Sequence, residues 1–287
     1  GWTGTGSVPA VGLGSAVAIT VTEDSSIWWI WETNYYLGIS IEGDGQVMPA
    51  SGWHLLGSAV ALTAQNGAGG AFDRWESDQV IPAGQARYPA LSVTLDRAHT
   101  MQAVFLEDLD ADGLPDAWEI EHFEDIETYS GADDADLDGV SNLIEFRENT
   151  DPMDAQDCPD VFADWDGDGF PNAYEFRHGS NPHDAASRPP ATIHVDASAP
   201  EGGNGSEAAP FKTIGAALVV AVDYDIVRIA DGLYAGPGNR NLRVEHRVML
   251  KSAGGAGRCV LDTQGQGDGI VFVNVDPLTI LDGVMIR

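Results

Sequence analysis

Basic residues are scarce in this chain of 287 amino acids: 14 Lys and Arg stand against 45 Asp and Glu, a formal net charge of −31 at pH 7. A field of that sign repels nucleic acid and anionic membranes, so no nucleic-acid binding is expected, and it draws multivalent cations. Cysteine is nearly absent. With only Cys158 and Cys259, neither a disulfide framework nor a thiolate metal site is expected, and both are read as unpaired thiols. Long apolar runs are missing as well: the longest, from Ile214 to Val222, falls far short of the ~20 residues that span a bilayer, so no membrane insertion is expected in this segment. The seven histidines show no HExxH or other ligand spacing. No signal peptide precedes Gly1, and patterned β sequence runs up to both ends. The chain therefore reads as an excised piece of a longer protein, with its targeting signal elsewhere.

What is present is enough apolar sequence, 43% hydrophobic with 8% aromatic, for two or more cores. The charge is concentrated in the middle. Between Glu107 and Arg188 there are 25 acidic residues against three arginines and no lysine, so this segment swells unless counter-ions neutralise it.

Within it one pattern occurs three times, as DLDADGLPDAWE from Asp108, DADLDGVSNLIE from Asp134 and DWDGDGFPNAYE from Asp164. Oxygen-bearing side chains at positions 1, 3, 5 and 9, Gly at 6 and Glu at 12 make the ligand schedule of a twelve-residue calcium loop. In the first loop the candidate ligands are Asp108, Asp110, Asp112, the carbonyl of Leu114, Asp116 and Glu119. In the second they are Asp134, Asp136, Asp138, the carbonyl of Val140, Asn142 and Glu145. In the third they are Asp164, Asp166, Asp168, the carbonyl of Phe170, Asn172 and Glu175. Hard oxygen donors in this number select calcium over zinc or copper, and three complete loops call for at least three ions. The plainer reading is a solvated acidic linker.

The sequence entering each loop is not helical: alternation precedes the first, Ser130-Gly131 the second and Cys158-Pro159-Asp160 the third. The exiting side is helical. Pro115 and Pro171 suit a first turn, and Trp118, Ile120, Ile144, Phe146, Tyr174 and Phe176 supply short apolar faces. Each unit is thus one loop and one short helix. Loop, helix and the trailing Thr150-Asp151-Pro152 and Ser180-Asn181-Pro182 segments resemble thrombospondin type-3 repeats of bacterial secreted proteins. That resemblance implies calcium binding, with Asp154 and Asp184 as secondary candidates, and says nothing of catalysis. Dockerins use similar loops as two closely spaced copies, whereas these three start 26 and 30 residues apart.

Before the acidic segment the pentapeptide Leu13-Gly14-Ser15-Ala16-Val17 recurs as Leu56-Gly57-Ser58-Ala59-Val60. Alternation at Val17, Ile19, Val21, then Val60, Leu62, Ala64, then Leu91, Val93, Leu95 and Met101, Ala103, Phe105 predicts half-buried antiparallel strands. Gly43 to Gly45, Gly57 to Thr63, Phe72 to Trp75 and Ala103 to Phe105 resemble the bacterial internalin-type B-repeat, a small β spacer of surface proteins. Residues 1–35 read as the end of another β module. Trp28, Trp29 and Trp31 fit either a sugar-stacking platform or, as alternation favours, core and edge packing.

After Arg188-Pro189-Pro190, Phe211, Ile214, Leu218 and Val222 have helical spacing, and short apolar runs follow at about twenty-residue intervals. Val195-Asp196, the Pro210-Phe211-Lys212-Thr213-Ile214 helix start and Val227 to Tyr234 resemble the N-terminal end of right-handed parallel β-helices of the pectate-lyase-like superfamily, including its capping helix. Many members bind or cleave acidic polysaccharides. Asp225, Asp231, Asp262, Asp268 and Asp282, with Arg228, Arg243 and Arg258, are better read as turn and outer-face residues than as an active site, because no pair is fixed by spacing.

The expected architecture is multidomain and mainly β: 1–35 and 36–106 as β modules, 107–188 as calcium repeats and 189–287 as the start of a β-helix. The expected role is a calcium-stiffened connector in a secreted or cell-surface bacterial protein, with no catalytic residue in this segment and a polysaccharide or cell-surface glycan as partner. The alternative is the leading part of a polysaccharide lyase or hydrolase whose active site lies beyond residue 287.

Overall fold

The acidic segment is divided by the fold. The computed structural model describes residues 1–287, and the chain forms two units, Gly1–Asp133 and Asp134–Arg287, so the first loop belongs to one unit and the other two loops to the other. The structure is mainly β, with several small sheets and four short α-helices: α1 (Asp116–Phe123), α2 (Asn142–Glu148), α3 (Asn172–His178) and α4 (Ile214–Val220). None is long and apolar enough to cross a membrane.

In the first unit a four-stranded sheet, ordered Gly52–Leu55, Asn34–Glu42, His99–Glu107, Gly70–Ser77, shares one core with a three-stranded sheet, Gly45–Met48, Ala59–Asn66, Ala90–Thr94. Period-two alternation builds that core: Leu62, Leu91, Val93, Met101, Ala103 and Phe105 all point inward and are buried. Phe72 lies 5.5 Å from Trp75 and 5.6 Å from Phe105, and Trp75 donates its indole N–H to the Tyr88 carbonyl at 3.0 Å. The turn at Gly43 and Gly45 needs both glycines. Gly43 has φ +87°, and a Cβ on Gly45 would lie 2.3 Å from the Phe105 ring.

Three expectations need correction here. Asn34–Glu42 and His99–Glu107 pair in parallel, from His99 opposite Leu37 to Val104 opposite Glu42, because the chain passes through the second sheet between them. Residues 17–21 form no strand, and Ile19 and Val21 are exposed. The second copy of the pentapeptide opens a strand paired on both sides, whereas the first copy has no neighbour to complete a ladder. Trp28, Trp29 and Trp31 are exposed rather than packed, Trp31 at 81%, since the small antiparallel sheet of Trp2–Thr5, Val11–Gly12 and Ser26–Trp29 has too little opposite it to cover them.

The second unit contains three parallel ladders. One joins Ile193–Val195, Ile226–Ile229, Met249–Ser252 and Ile280–Asp282; another Gly232–Ala235, Cys259–Asp262 and Met285–Ile286; the third Leu242–Val244 and Ile270–Phe272. Val195, Val227, Ile229, Tyr234, Val244 and Leu261, with others, fill one shared core. Helix α4 buries Ile214 and Ala217 against it, and the Thr213 hydroxyl caps it by accepting from the Ala216 N–H at 3.2 Å. Two residues of the predicted helical face lie outside the helix. Phe211 instead bridges to Val195, and Val222 is exposed, because the backbone turns extended at Ala221. Both cysteines are free, Cys158 exposed and Cys259 buried.

Candidate metal centres

Each loop is first organised by its own backbone. In the first, Asp108 accepts from the N–H groups of Ala111 (2.7 Å) and Gly113 (3.1 Å), and Asp112 accepts from Leu114 (2.9 Å) and from Gly131 (2.7 Å). In the second, Asp134 accepts from Asp138 (3.2 Å) and Gly139 (2.9 Å), and Asp138 from Val140 (2.7 Å). In the third, Asp164 accepts from Gly167 (2.8 Å) and Gly169 (3.0 Å), and Asp168 from Phe170 (2.9 Å). These bonds fold each loop back on its first aspartate. The sharp turn falls at position 6, where Gly113, Gly139 and Gly169 have φ between +90° and +97°, a region glycine enters without strain.

The helices supply the remaining ligand positions. Pro115, Ser141 and Pro171 are extended residues just before α1, α2 and α3, and their carbonyls accept the first helical N–H bonds. The prolines thus precede the helix instead of entering its first turn. Positions 9 and 12 then fall three apart on one helix face. Asp116, Asn142 and Asn172 accept from the N–H of position 2 at 2.8, 3.3 and 3.3 Å. Glu119, Glu145 and Glu175 are fully buried.

The burial of those glutamates is the decisive electrostatic feature. Both carboxylate oxygens of Glu119, and Oε2 of Glu145 and of Glu175, are buried without a hydrogen-bond donor, as are Oδ2 of Asp136, Asp138, Asp166 and Asp168. Desolvation, then the neighbouring loop aspartates, pushes all three glutamate carboxyls up to about 8. A donorless buried carboxylate is costly unless a cation or a proton compensates it. Carboxylate oxygens of Asp108, Asp110 and Asp116, of Asp110, Asp112 and Glu119, of Asp134, Asp136 and Asp138, and of Asp164, Asp166 and Asp168 each gather within 4.8 Å. The donor set, all hard oxygen, fits a calcium-class ion. Glu145 and Glu175 stand outside those groups.

Two hydroxyls escape a reading based on ligand positions alone. Thr150 donates to Glu145 Oε1 and Ser180 to Glu175 Oε1, both at 3.3 Å. Each lies five residues after its glutamate, just past a left-handed helix cap, Asn149 or Gly179. Alignment of the two repeats carries the signal. After Glu119 the equivalent residue is Glu124, so that loop has no such hydroxyl. Asp154 and Asp184 instead close local turns, accepting from Gln156 and Ala186 at 3.1 Å, and join none of the acidic groups.

The third loop and α3 also pack on the second unit's own sheet. Phe170, Ala173 and Tyr174 cluster with Ile226, Met249 and Leu278, and Tyr174 donates its hydroxyl to the Leu278 carbonyl at 2.6 Å. Residues 164–185 match the bacterial TSP3 repeat. TSP3 repeats generally bind calcium and are typical of extracellular bacterial proteins, which agrees with the clustered aspartates of the third loop. No curated protein and no solved structure matches the chain.

The aspartates and arginines of the ladder turns form no comparable centre. Arg258 pairs with Asp231 at 3.3 Å, Arg243 with Glu245 at 3.0 Å and Lys251 with Asp282 at 2.9 Å, all partly exposed, and Asp262 accepts from the Gln264 N–H.

Proposed function

We propose that residues 107–188 are a calcium-set connector in a secreted or surface-displayed bacterial protein, taking at least three ions, one per loop. The observation that carries this reading is a buried glutamate at position 12 of every loop that keeps carboxylate oxygen without a hydrogen-bond donor: both oxygens of Glu119, and Oε2 of Glu145 and of Glu175. In each case side-chain oxygens of positions 1, 3, 5, 9 and 12 and the carbonyl of Leu114, Val140 or Phe170 would hold the ion. The bound ion supplies positive charge where like charges otherwise repel. On this reading the chain comprises a β module at 1–35, a B-repeat-like module at 36–106, the repeats, and the first coils of a right-handed parallel β-helix at 189–287. The in-register parallel ladders and the capping position of α4 support the last of these.

Calorimetric titration of the chain with calcium is expected to show at least three sites, with a thermal midpoint that falls on adding chelator. Absence of binding at millimolar calcium would overturn the proposal. The exposed Trp29 and Trp31, ring centroids 6.3 Å apart, support a glycan as partner. Quenching or blue shift of indole fluorescence by polysaccharide, abolished in Trp29→Ala/Trp31→Ala, is the expected outcome, and an unchanged spectrum removes the glycan from the proposal.

A further inference from the structure

The three loops are not electrostatically equivalent. The first offers five carboxylates at its ligand positions, whereas Asn142 and Asn172 at position 9 leave the second and third with four. The third also has cations of its own. Arg188 Nε lies 3.2 Å from Asp168 Oδ2, an ion pair without the alignment of a hydrogen bond, and the Asp168 side chain is fully buried. Lys251 Nζ sits 4.7 Å from the centre of the Phe170 ring and 3.4 Å from where a Cβ on Gly169 would stand.

An arriving divalent ion and the Arg188 guanidinium require the same oxygen of Asp168. While the guanidinium is there, part of the loop's negative charge is already neutralised, and affinity in such loops follows ligand charge. We propose that Arg188 is a built-in competing cation that makes the third site the weakest of the three, filled last as calcium rises. This rests on the calcium reading above. Its consequence follows from packing: the loop whose occupancy varies is the one whose Phe170 and Tyr174 hold the parallel sheet. Calcium concentration then sets the firmness of that contact without emptying the other two loops.

The effect is modest, because Arg188 is 59% exposed and its charge is screened. The test is a calcium titration of the whole chain by calorimetry, with indole fluorescence in parallel, since Trp165 at position 2 reports on the third loop. The unsubstituted chain is expected to show two tighter sites and one weaker. Glu175→Gln removes the weak step and so assigns it. Arg188→Gln tightens that step by about two- to fivefold and leaves the others in place, and Arg188→Lys restores the weaker binding. An unmoved weak step in Arg188→Gln, or an equal shift at all sites, overturns the role of Arg188 while the calcium reading stands. No calcium heat in the unsubstituted chain overturns both.

Discussion

The first and third loops carry the same ligand schedule in different settings, and the contrast separates what a loop encodes from what its neighbours impose. The first follows directly on the strand His99–Glu107, its Asp108 N–H bonded to the Gly69 carbonyl at 3.2 Å, and its glutamate has no donor on either oxygen. The third is pinned through α3 to a parallel sheet, its glutamate takes one hydroxyl, and an arginine leans on Asp168. Backbone bonding inside the two loops is nearly the same. A dozen residues thus suffice to fold the loop, while its coupling to the rest of the chain is decided by position 11, the trailing segment and residues far away.

The strongest way to break this contrast is at position 11. Tyr174 is fully buried and bonded to Leu278, so Tyr174→Ala is expected to destabilise the second unit by roughly 3–5 kcal/mol, the range for loss of a buried aromatic. Trp118, its counterpart in the first loop, is half-buried against Phe123 and His122. Trp118→Ala is expected to cost less and only in the first unit. Denaturant unfolding followed by hydrogen exchange resolves the two units, and equal losses in both variants would mean that the third loop's packing on the sheet carries no special weight.

A second contrast appears when calcium is chelated. The folded chain holds the glutamate carboxyls at about 8, against about 4.3 in an unfolded chain, so the folded state retains protons that the unfolded state has released. The resulting stability is fully present below about pH 4 and is lost as pH rises toward 8. The chelated chain is therefore expected to melt progressively lower from pH 5 to pH 8. With calcium present the ion replaces the proton, so binding strengthens over the same interval and releases protons. Calorimetry at pH 6 in buffers of different ionisation enthalpy measures that release. A chelated melting point that rises with pH would contradict the buried state of these side chains, each with a carboxylate oxygen that has no donor.

How much of this was legible in the sequence depends on distance along the chain. The aspartates at positions 1, 3 and 5 and the short helix after each loop are local; the second and third loops gather all three aspartates, while the first divides Asp108 and Asp112 between two groups that share Asp110. Leu62, Leu91 and Met101 were legible as core because alternation matched strands that have partners. Ile19 and Val21 alternate equally well and form no strand, because a strand exists only with its ladder and periodicity does not record the missing neighbour. The parallel pairing of Asn34–Glu42 with His99–Glu107 depends on where an intervening sheet carries the chain. Arg188 lies twenty residues past Asp168, and nothing in the spacing brings the two together.

The finest difference among the loops lies at position 4. Ala111 and Leu137 have φ of +61° and +66°, and Gly167 has +77°. All three loops need the same left-handed residue there, so that position 1 can accept the amides that follow, yet only the third has glycine. A side chain in this region costs about 1–2 kcal/mol, partly offset by the greater freedom glycine has in the unfolded chain. Leu137 is 85% exposed, so its removal loses little buried area. Leu137→Gly is therefore expected to stabilise the second unit by about 0.5–1 kcal/mol. A Cβ on Gly167 would meet open space, so Gly167→Ala tests the dihedral alone and is expected to cost a similar amount. Denaturant unfolding at saturating calcium measures both. Opposite signs of similar size mean that one backbone constraint governs both loops in the second unit. A neutral Gly167→Ala would mean that the third loop tolerates a side chain at position 4, and glycine there would then need another cause.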